Sequence, residues 1–293
     1  MGAQTNVYQM VTERIIAQLE KGIVPWQKPW HGSPEGAISY TSRKPYSILN
    51  QMLLAKPGEY LTFKQIKDLN GKIKKGAKAK FVVFYKPMVI VEKKEVTEDG
   101  KTTEKKKEII VPILRYYNVF HIDDTEGISS KNEVSDKPTL QPIEQAEQII
   151  SDYVEREQLK YESKLSGSAF YSPKEDKVVV PALEQYEVRE EFYSTTFHEL
   201  VHSTGHPKRC NRLDLLGLAA FGSENYSKEE LVAEIGSAMI LNQIGIDTEK
   251  VFKNSTAYIQ GWLKKLKSDN RFIVSAAGRA EKAVKYILNI KEE

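Results

Sequence analysis

The sequence predicts an α+β protein in two parts: a small basic α+β part, then a mainly helical part with a short sheet. Three observations carry this. Apolar residues recur at helical spacing in several segments. Short β-branched and aromatic runs, KFVVFY and KVVV, stand among them. The charge also divides unevenly. Residues 1–124 hold 21 Lys+Arg and 13 Asp+Glu, a net +8, while the rest hold 22 and 27, a net −5; together they give the +3 of the 293-residue chain. The expected boundaries are 1–124 for the first domain, 125–142 for a linker and 143–293 for the second domain.

Residues 5–21 read as an amphipathic helix, with Val7, Met10, Val11, Ile15 and Leu19 on one face and Gly22 ending it. PWQKPW follows, each Trp preceded by Pro. A second helix is expected from Ser47 to Leu54. The stretch from Tyr60 to Pro87 reads as a short helix, a Gly-centred turn and a strand over 80–85, with a further strand near 88–91. Residues 92–108, EKKEVTEDGKTTEKKKE, are nearly all charged or turn-forming and are expected to be a solvated hairpin loop. IIVPILRYYNVFHI returns as a strand. Two prolines and many polar residues mark the linker. Beyond it come a helix in IEQAEQIISDYVEREQ, two short strands in SAFYSPKEDKVVVP, and a helix beginning near Val188. A helix over 228–244 and two more, in STAYIQGWLKKLKSD and SAAGRAEKAVKYILN, complete the chain.

No segment approaches the roughly 18 unbroken apolar residues of a membrane helix, and the beginning has no basic stretch followed by an apolar run, so no membrane partner is expected. The one cysteine, Cys210, has no partner for an internal disulfide, which fits the cytoplasm.

The helix near 188 carries FHELVHSTGH. His198 and His202 stand four apart, on one face and about one turn apart, so a single zinc ion at ~2.0–2.1 Å can meet both imidazoles. Glu199 is placed to take a proton from water at the metal, the part a general base plays in a zincin. Phe197, Leu200 and Val201 supply a buried side, and Gly205 and Pro207 end the helix. A third histidine at the position expected from HExxHxxGxxH is missing: Lys208 stands there, His206 is two residues early, and no histidine follows. A carboxylate is therefore expected. In EELVAEIGSAMI, Glu230 and Glu234 lie on one helical face. The pattern is similar to the Glu-x-x-Ala-Asp of gluzincin-like families, which implies Glu230 as the ligand and Glu234 as the residue behind a histidine, or an alternative ligand. Glu229 leaves a swap among the three open. One Zn2+ per chain is expected, replaceable in vitro by Mn2+ or Co2+.

The basic part has its own pattern. Eight lysines and one acid, Asp68, lie from Lys64 to Lys86, interleaved with Phe63, Phe81, Phe84 and Tyr85. Cations that follow phosphates, among aromatic faces that stack bases, are how single-stranded nucleic acid is held. Trp26, Trp30, Lys64, Lys72, Lys74, Lys75, Lys78 and Lys80 are the candidate contacts.

Taken together, IIAQLEKGIVPWQKPW, KPYSILNQMLL, YLTFKQIKDLNGKIKKGAKAKFVVFYKP and YYNVFHIDDTEGI, then FYSPKEDKVVVP, FHELVHSTGHPKRCNR, EELVAEIGSAMI and YIQGWLKKLKSDNRFIVSAAGRAEKAVKYI, resemble the ArdC-type antirestriction proteins of plasmids and other mobile elements. The resemblance spans nearly the whole chain. It implies a first domain that binds single-stranded DNA and a second, zincin-like domain related to Spartan-type proteases. It also implies a role in the escape of incoming DNA from restriction, with His198, Glu199, His202 and Glu230 as site residues. Two classes of function follow: a zinc metallopeptidase acting on DNA-bound proteins, or a non-catalytic single-strand shield with a structural metal. Glu199 favours the first, since a structural site needs no base.

Overall fold

The computed structural model describes residues 6–26, 36–98, 101–131, 142–212, 224–246 and 256–291. The chain opens with α1 (Val7–Leu19), whose Asn6 cap accepts from the Gln9 amide at 3.3 Å. Gly22, at φ +76°, closes the helix in the left-handed conformation that glycine adopts without strain. The first sheet follows, built from β1 (Ala37–Ser39), β2 (Gly58–Thr62), β4 (Lys80–Glu98) and β5 (Lys101–His121) in the order β1-β2-β5-β4. β3 (Lys72–Ile73) and β6 (Thr125–Glu126) form a separate small ladder, and α3 (Phe63–Asp68) begins in a Thr62–Gln65 capping box.

The helix α2 (Ile48–Leu54) seals both edges of the first sheet with two consecutive amides. Asn50 donates to the Val83 carbonyl at 2.8 Å and accepts from the Val83 amide at 2.7 Å, standing in for a strand beyond β4. Gln51 does the same for β1, accepting from the Ala37 amide at 2.7 Å and donating to its carbonyl at 2.9 Å. The Val83 groups and the Ala37 amide thereby find partners inside the core, while the Ala37 carbonyl accepts from the Tyr46 amide as well, at 3.0 Å.

The second part comprises α4 (Pro142–Glu157), the strands β7 (Lys160–Lys164), β8 (Phe170–Ser172) and β9 (Lys177–Pro181), and then α5 (Arg189–Thr204), α6 (Glu224–Ile244), α7 (Thr256–Ser268) and α8 (Phe272–Ile287). Its sheet has the order β7-β9-β8, with β9 parallel to β7 and antiparallel to β8. The fold is α+β, as expected. Among the described residues, no helix is long and apolar enough to cross a membrane.

Two expectations are corrected. Residues 92–108 are not a loop. β4 and β5 pair without a break from Lys80 opposite Val119 to Glu98 opposite Lys101, because the ladder is made by backbone groups, which a charged sequence carries as well as an apolar one. Residues 125–131 do not begin a linker. Thr125–Glu126 pairs with Lys72–Ile73, Ile128 packs against Leu61 and Ile66, and the Lys131 amide donates to the buried Glu59 carboxylate at 3.1 Å. The remaining expected linker residues, 132–141, lie outside the described residues. β7, KYESK, goes beyond the sequence reading: Tyr161 is its one apolar residue, packed against the core, and the strand forms as the parallel partner of the valines of β9.

The largest core runs through both parts. Val11, Ile15, Leu19, Trp26 and Met52 from the first part lie in one buried cluster with Phe197, Val232, Trp262, Ile273 and Ala277 from the second.

Candidate metal centre

The site sits where α5 crosses α6. Small residues let these helices meet closely: a Cβ added at Gly236 would lie 2.9 Å from Val201 Cγ2. Ser237 Oγ donates to the Ser194 carbonyl at 2.9 Å, fixing the helices in register. Phe197, Leu200 and Val201 are fully buried, as their spacing predicts. With that side of α5 in the core, His198 and His202 face the first turns of α6.

There the two Nε2 atoms are 3.1 Å apart. Glu230 Oε2 lies 3.6 Å from His198 Nε2, and its Oε1 lies 3.5 Å from His202 Nε2. Ligands in a tetrahedron at ~2.0–2.1 Å from a zinc ion are roughly 3.3–3.5 Å from one another. Three donor atoms, from two imidazoles and a carboxylate, therefore already have about the spacing that one divalent cation requires. They are the group of His, Cys, Asp and Glu side chains able to hold a metal among the described residues.

Of the glutamates that the sequence leaves open, Glu229 stands behind His202. Glu229 Oε1, not Glu234, lies 3.5 Å from His202 Nδ1. Arg212 holds Glu229 in turn, donating from NH2 to Oε1 at 2.8 Å and from Nε to Oε2 at 3.3 Å. The same guanidinium donates to the Val201 carbonyl at 2.8 Å and to Thr204 Oγ1 at 2.7 Å. Glu229 reaches the inner nitrogen because it neighbours Glu230 on α6. Proximity to Glu230 is a signal for Glu229; nothing in the sequence marks Arg212. His206 is directed elsewhere, its Nδ1 accepting from the Lys208 amide at 3.2 Å.

Electrostatics follow this geometry. Burial raises the Glu199 carboxyl above the usual carboxylate range, against the pull of His202 and His198; the Tyr171 backbone amide in β8 donates to it. Burial also opposes the charge of Glu230, but contacts from His198 and His202 outweigh it and hold the carboxyl well below its ordinary range. Burial lowers His202, yet Glu229 and Glu230 more than reverse this and lift it to about 10. The centre is thus built for positive charge. The buried Glu199 beside it favours a shared proton more than an isolated carboxylate does.

The residues expected at DNA divide. Trp26 is corrected: it is fully buried and packs edge-on against Trp262 at 6.2 Å, so its ring has no face to offer a base. The Pro-Trp pattern supplies a large apolar ring that the shared core absorbs. Trp30 lies outside the described residues. Lys64, Lys72, Lys74, Lys75 and Lys78 are exposed. Lys74 leans on the Asp123 carbonyl at 2.8 Å. Lys80 is half-buried and donates to the Leu54 carbonyl at 2.9 Å, a structural role at the end of α2.

Residues 5–120 match the N-terminal domain of anti-restriction factor ArdC, and residues 144–279 match a zincin-like metallopeptidase family. The crystal structure of the antirestriction ArdC protein from plasmid R388, in its metal-free form, superimposes with a TM-score of 0.71 at 28% identity, covering 98% of this chain and 100% of that one. Its Mn(II)-bound form gives 0.72 at 27%, covering 97% and 98%. Among curated proteins, a DNA primase TraC of Escherichia coli is 29% identical over 98% of this chain, but the chain spans only 27% of the primase's length. The uncharacterized protein y4eC of Sinorhizobium fredii (strain NBRC 101917 / NGR234) is 29% identical, over 94% of this chain and 90% of its own. With both domain families in order and the whole fold shared with a solved ArdC, this chain belongs to the ArdC-type antirestriction proteins.

Proposed function

We propose that this chain binds single-stranded DNA through its N-terminal part and hydrolyses peptide bonds of DNA-bound proteins at the His198–Glu230 centre. The observation that carries the hydrolytic reading is the count of protein donors. Three converge, with a buried carboxylic acid next to them and no fourth protein ligand in the group, whereas a structural zinc site is closed by four. Two imidazoles and a carboxylate suit zinc, and Mn2+ or Co2+ fit the same donors.

When bound, a divalent ion supplies a Lewis acid that polarises a carbonyl and brings water's pKa down toward ~7. His198, His202 and Glu230 would hold it. Glu199 accepts the proton of the attacking water and returns it to the leaving amine. Glu229, anchored by Arg212, fixes the His202 ring so that Nε2 faces the ion. The Tyr171 amide holds Glu199 against β8, so the base keeps one orientation. The soluble setting read from composition, a cytoplasmic one, fits action on incoming DNA.

The shared core holds the two parts in one body, and binding to a strand would raise the effective concentration of the centre around proteins on that strand. The experiment is cleavage of one DNA-binding protein by the full chain with single-stranded DNA, with duplex and with neither, against Glu199→Gln. Hydrolysis that requires Glu199 and rises with single strands supports the reading. Absence of cleavage with zinc, manganese and cobalt supplied makes the chain a strand shield with a metal centre.

A further inference from the structure

Residues directly opposite one another on β4 and β5 share a face of the hairpin. Val82 stands opposite Tyr117, Phe84 opposite Arg115, and Lys86 opposite Ile113. At the base of this face, Val82 and Val119 are buried with Tyr60. Above them the face is open. Phe84 and Tyr117, diagonal neighbours, stack with centroids 4.6 Å apart and planes within 2°. Tyr117 is 56% exposed and Met88 40%. Arg115 and Lys86 are exposed too. From Val82 to Met88 and from Val111 to Tyr117, this face holds those two cations and no carboxylate.

An aromatic pair in the core would be covered, and one serving only to fill a sheet surface needs no pair of cations beside it, as Arg115 and Lys86 stand here on the side toward the hairpin tip. Here a stack of two rings ends in an open π-face, with a guanidinium and an ammonium beside it. A third flat ring extends such a stack, and the two cations beside it meet the negative charge of a backbone running past. We propose that this face is the platform on which a single strand lies, an unpaired base stacking on Tyr117 while Arg115 and Lys86 meet the flanking phosphates. The proposal rests on the DNA-binding reading of the N-terminal part and moves its stacking contact from the buried Trp26 to the hairpin. Duplex DNA hides its base faces and cannot make this contact.

The test is fluorescence anisotropy of labelled oligo-dT with the full chain across a salt series, with a duplex of the same length beside it. Tyr117→Ala should weaken single-strand binding roughly tenfold to a hundredfold, and Tyr117→Phe should restore it, since the ring and not the hydroxyl stacks. The double variant Arg115→Ala/Lys86→Ala should flatten the salt slope by about 1.4, at ~0.7 for each phosphate left unneutralised. Thermal unfolding of each variant separates impaired binding from impaired folding. If Tyr117→Ala and the double variant bind as the parent does, while charge reversal at Lys72, Lys74 and Lys75 abolishes binding, the platform is elsewhere and the DNA-binding reading stands. If those hairpin variants bind DNA normally but fail to bind a protein substrate, the face docks protein and the proposal is overturned. If the parent ignores single strands, both readings fall.

Discussion

Arg212 grips Glu229 through both carboxylate oxygens, at 2.8 and 3.3 Å, while Glu229 faces the inner nitrogen of His202. The arginine comes from the turn after α5 and the glutamate from the first turns of α6, so the contact ties both helices that make the centre. Both side chains are largely removed from water. Glu229→Gln should keep the fold and lower metal affinity about 10- to 100-fold, the usual effect of losing a partner behind a histidine ligand. Arg212→Ala should do this and also destabilise the protein by about 3–5 kcal/mol, because it strands a buried carboxylate. Chelator competition reads the first effect and thermal unfolding the second. Parental affinity in both variants would show that the relay has no bearing on the metal.

The assignment of the third ligand gives a separate outcome. Glu230→Ala leaves two imidazoles and should strip the metal from purified protein, whereas Glu234→Ala should retain about one ion per chain. Elemental analysis after desalting decides it. The reverse pattern would mean that α6 is turned about its axis relative to the arrangement described above.

Gly236 sets how closely the ligand-bearing helices approach. Alanine is favoured over glycine in a helix by about 1 kcal/mol. At this position, however, its methyl would lie 2.9 Å from Val201 Cγ2, and Val201 is a stiff β-branched side chain with no exposure. Overpacking of this kind costs ~1–3 kcal/mol, so Gly236→Ala should come out destabilised by up to about 2 kcal/mol. It should also bind metal less tightly, since α6 carries Glu230. Adding Val201→Ala makes room and should recover the affinity. A double-mutant cycle with no coupling would place the close approach elsewhere.

Trp26 shows how far the sequence is legible. Elements with strong periodicity and caps are readable: α1 with Asn6 and Gly22, α2 with Ser47, α5 from Val188. The centre is readable as well, because an i,i+4 histidine pair is a local geometric statement. What escapes is long-range. Whether a tryptophan meets water or Trp262, more than two hundred residues away, is decided by packing that no local pattern encodes. The same holds for Arg212, whose partner lies across a segment of chain, and for β7, which exists through β9. Trp26→Ala should accordingly cost about 3–5 kcal/mol of stability and unfold both parts together in one transition. A loss of DNA affinity in a variant with parental stability would instead restore the stacking role.

Acid should weaken the back of the second part through Asp176. Its carboxylate receives the Arg209 guanidinium at 2.9 and 2.8 Å and the Tyr171 hydroxyl at 2.9 Å. Arg209 is itself enclosed and reaches Glu157 and the Ser203 carbonyl near the end of α5. Burial alone would raise the Asp176 carboxyl, but the hydrogen bonds from Arg209 and Tyr171 win, and the group lies below its ordinary range. A carboxyl whose folded pKa is depressed contributes stability that is complete above the unfolded value, ~3.9, and is lost as pH falls through the folded one. The unfolding midpoint should therefore drop below about pH 4 with a component that Asp176→Asn lacks. That variant should be less stable at neutral pH, since it removes the charge facing Arg209, and flatter in acid. An acid limb identical in parent and variant would assign the loss to other carboxylates.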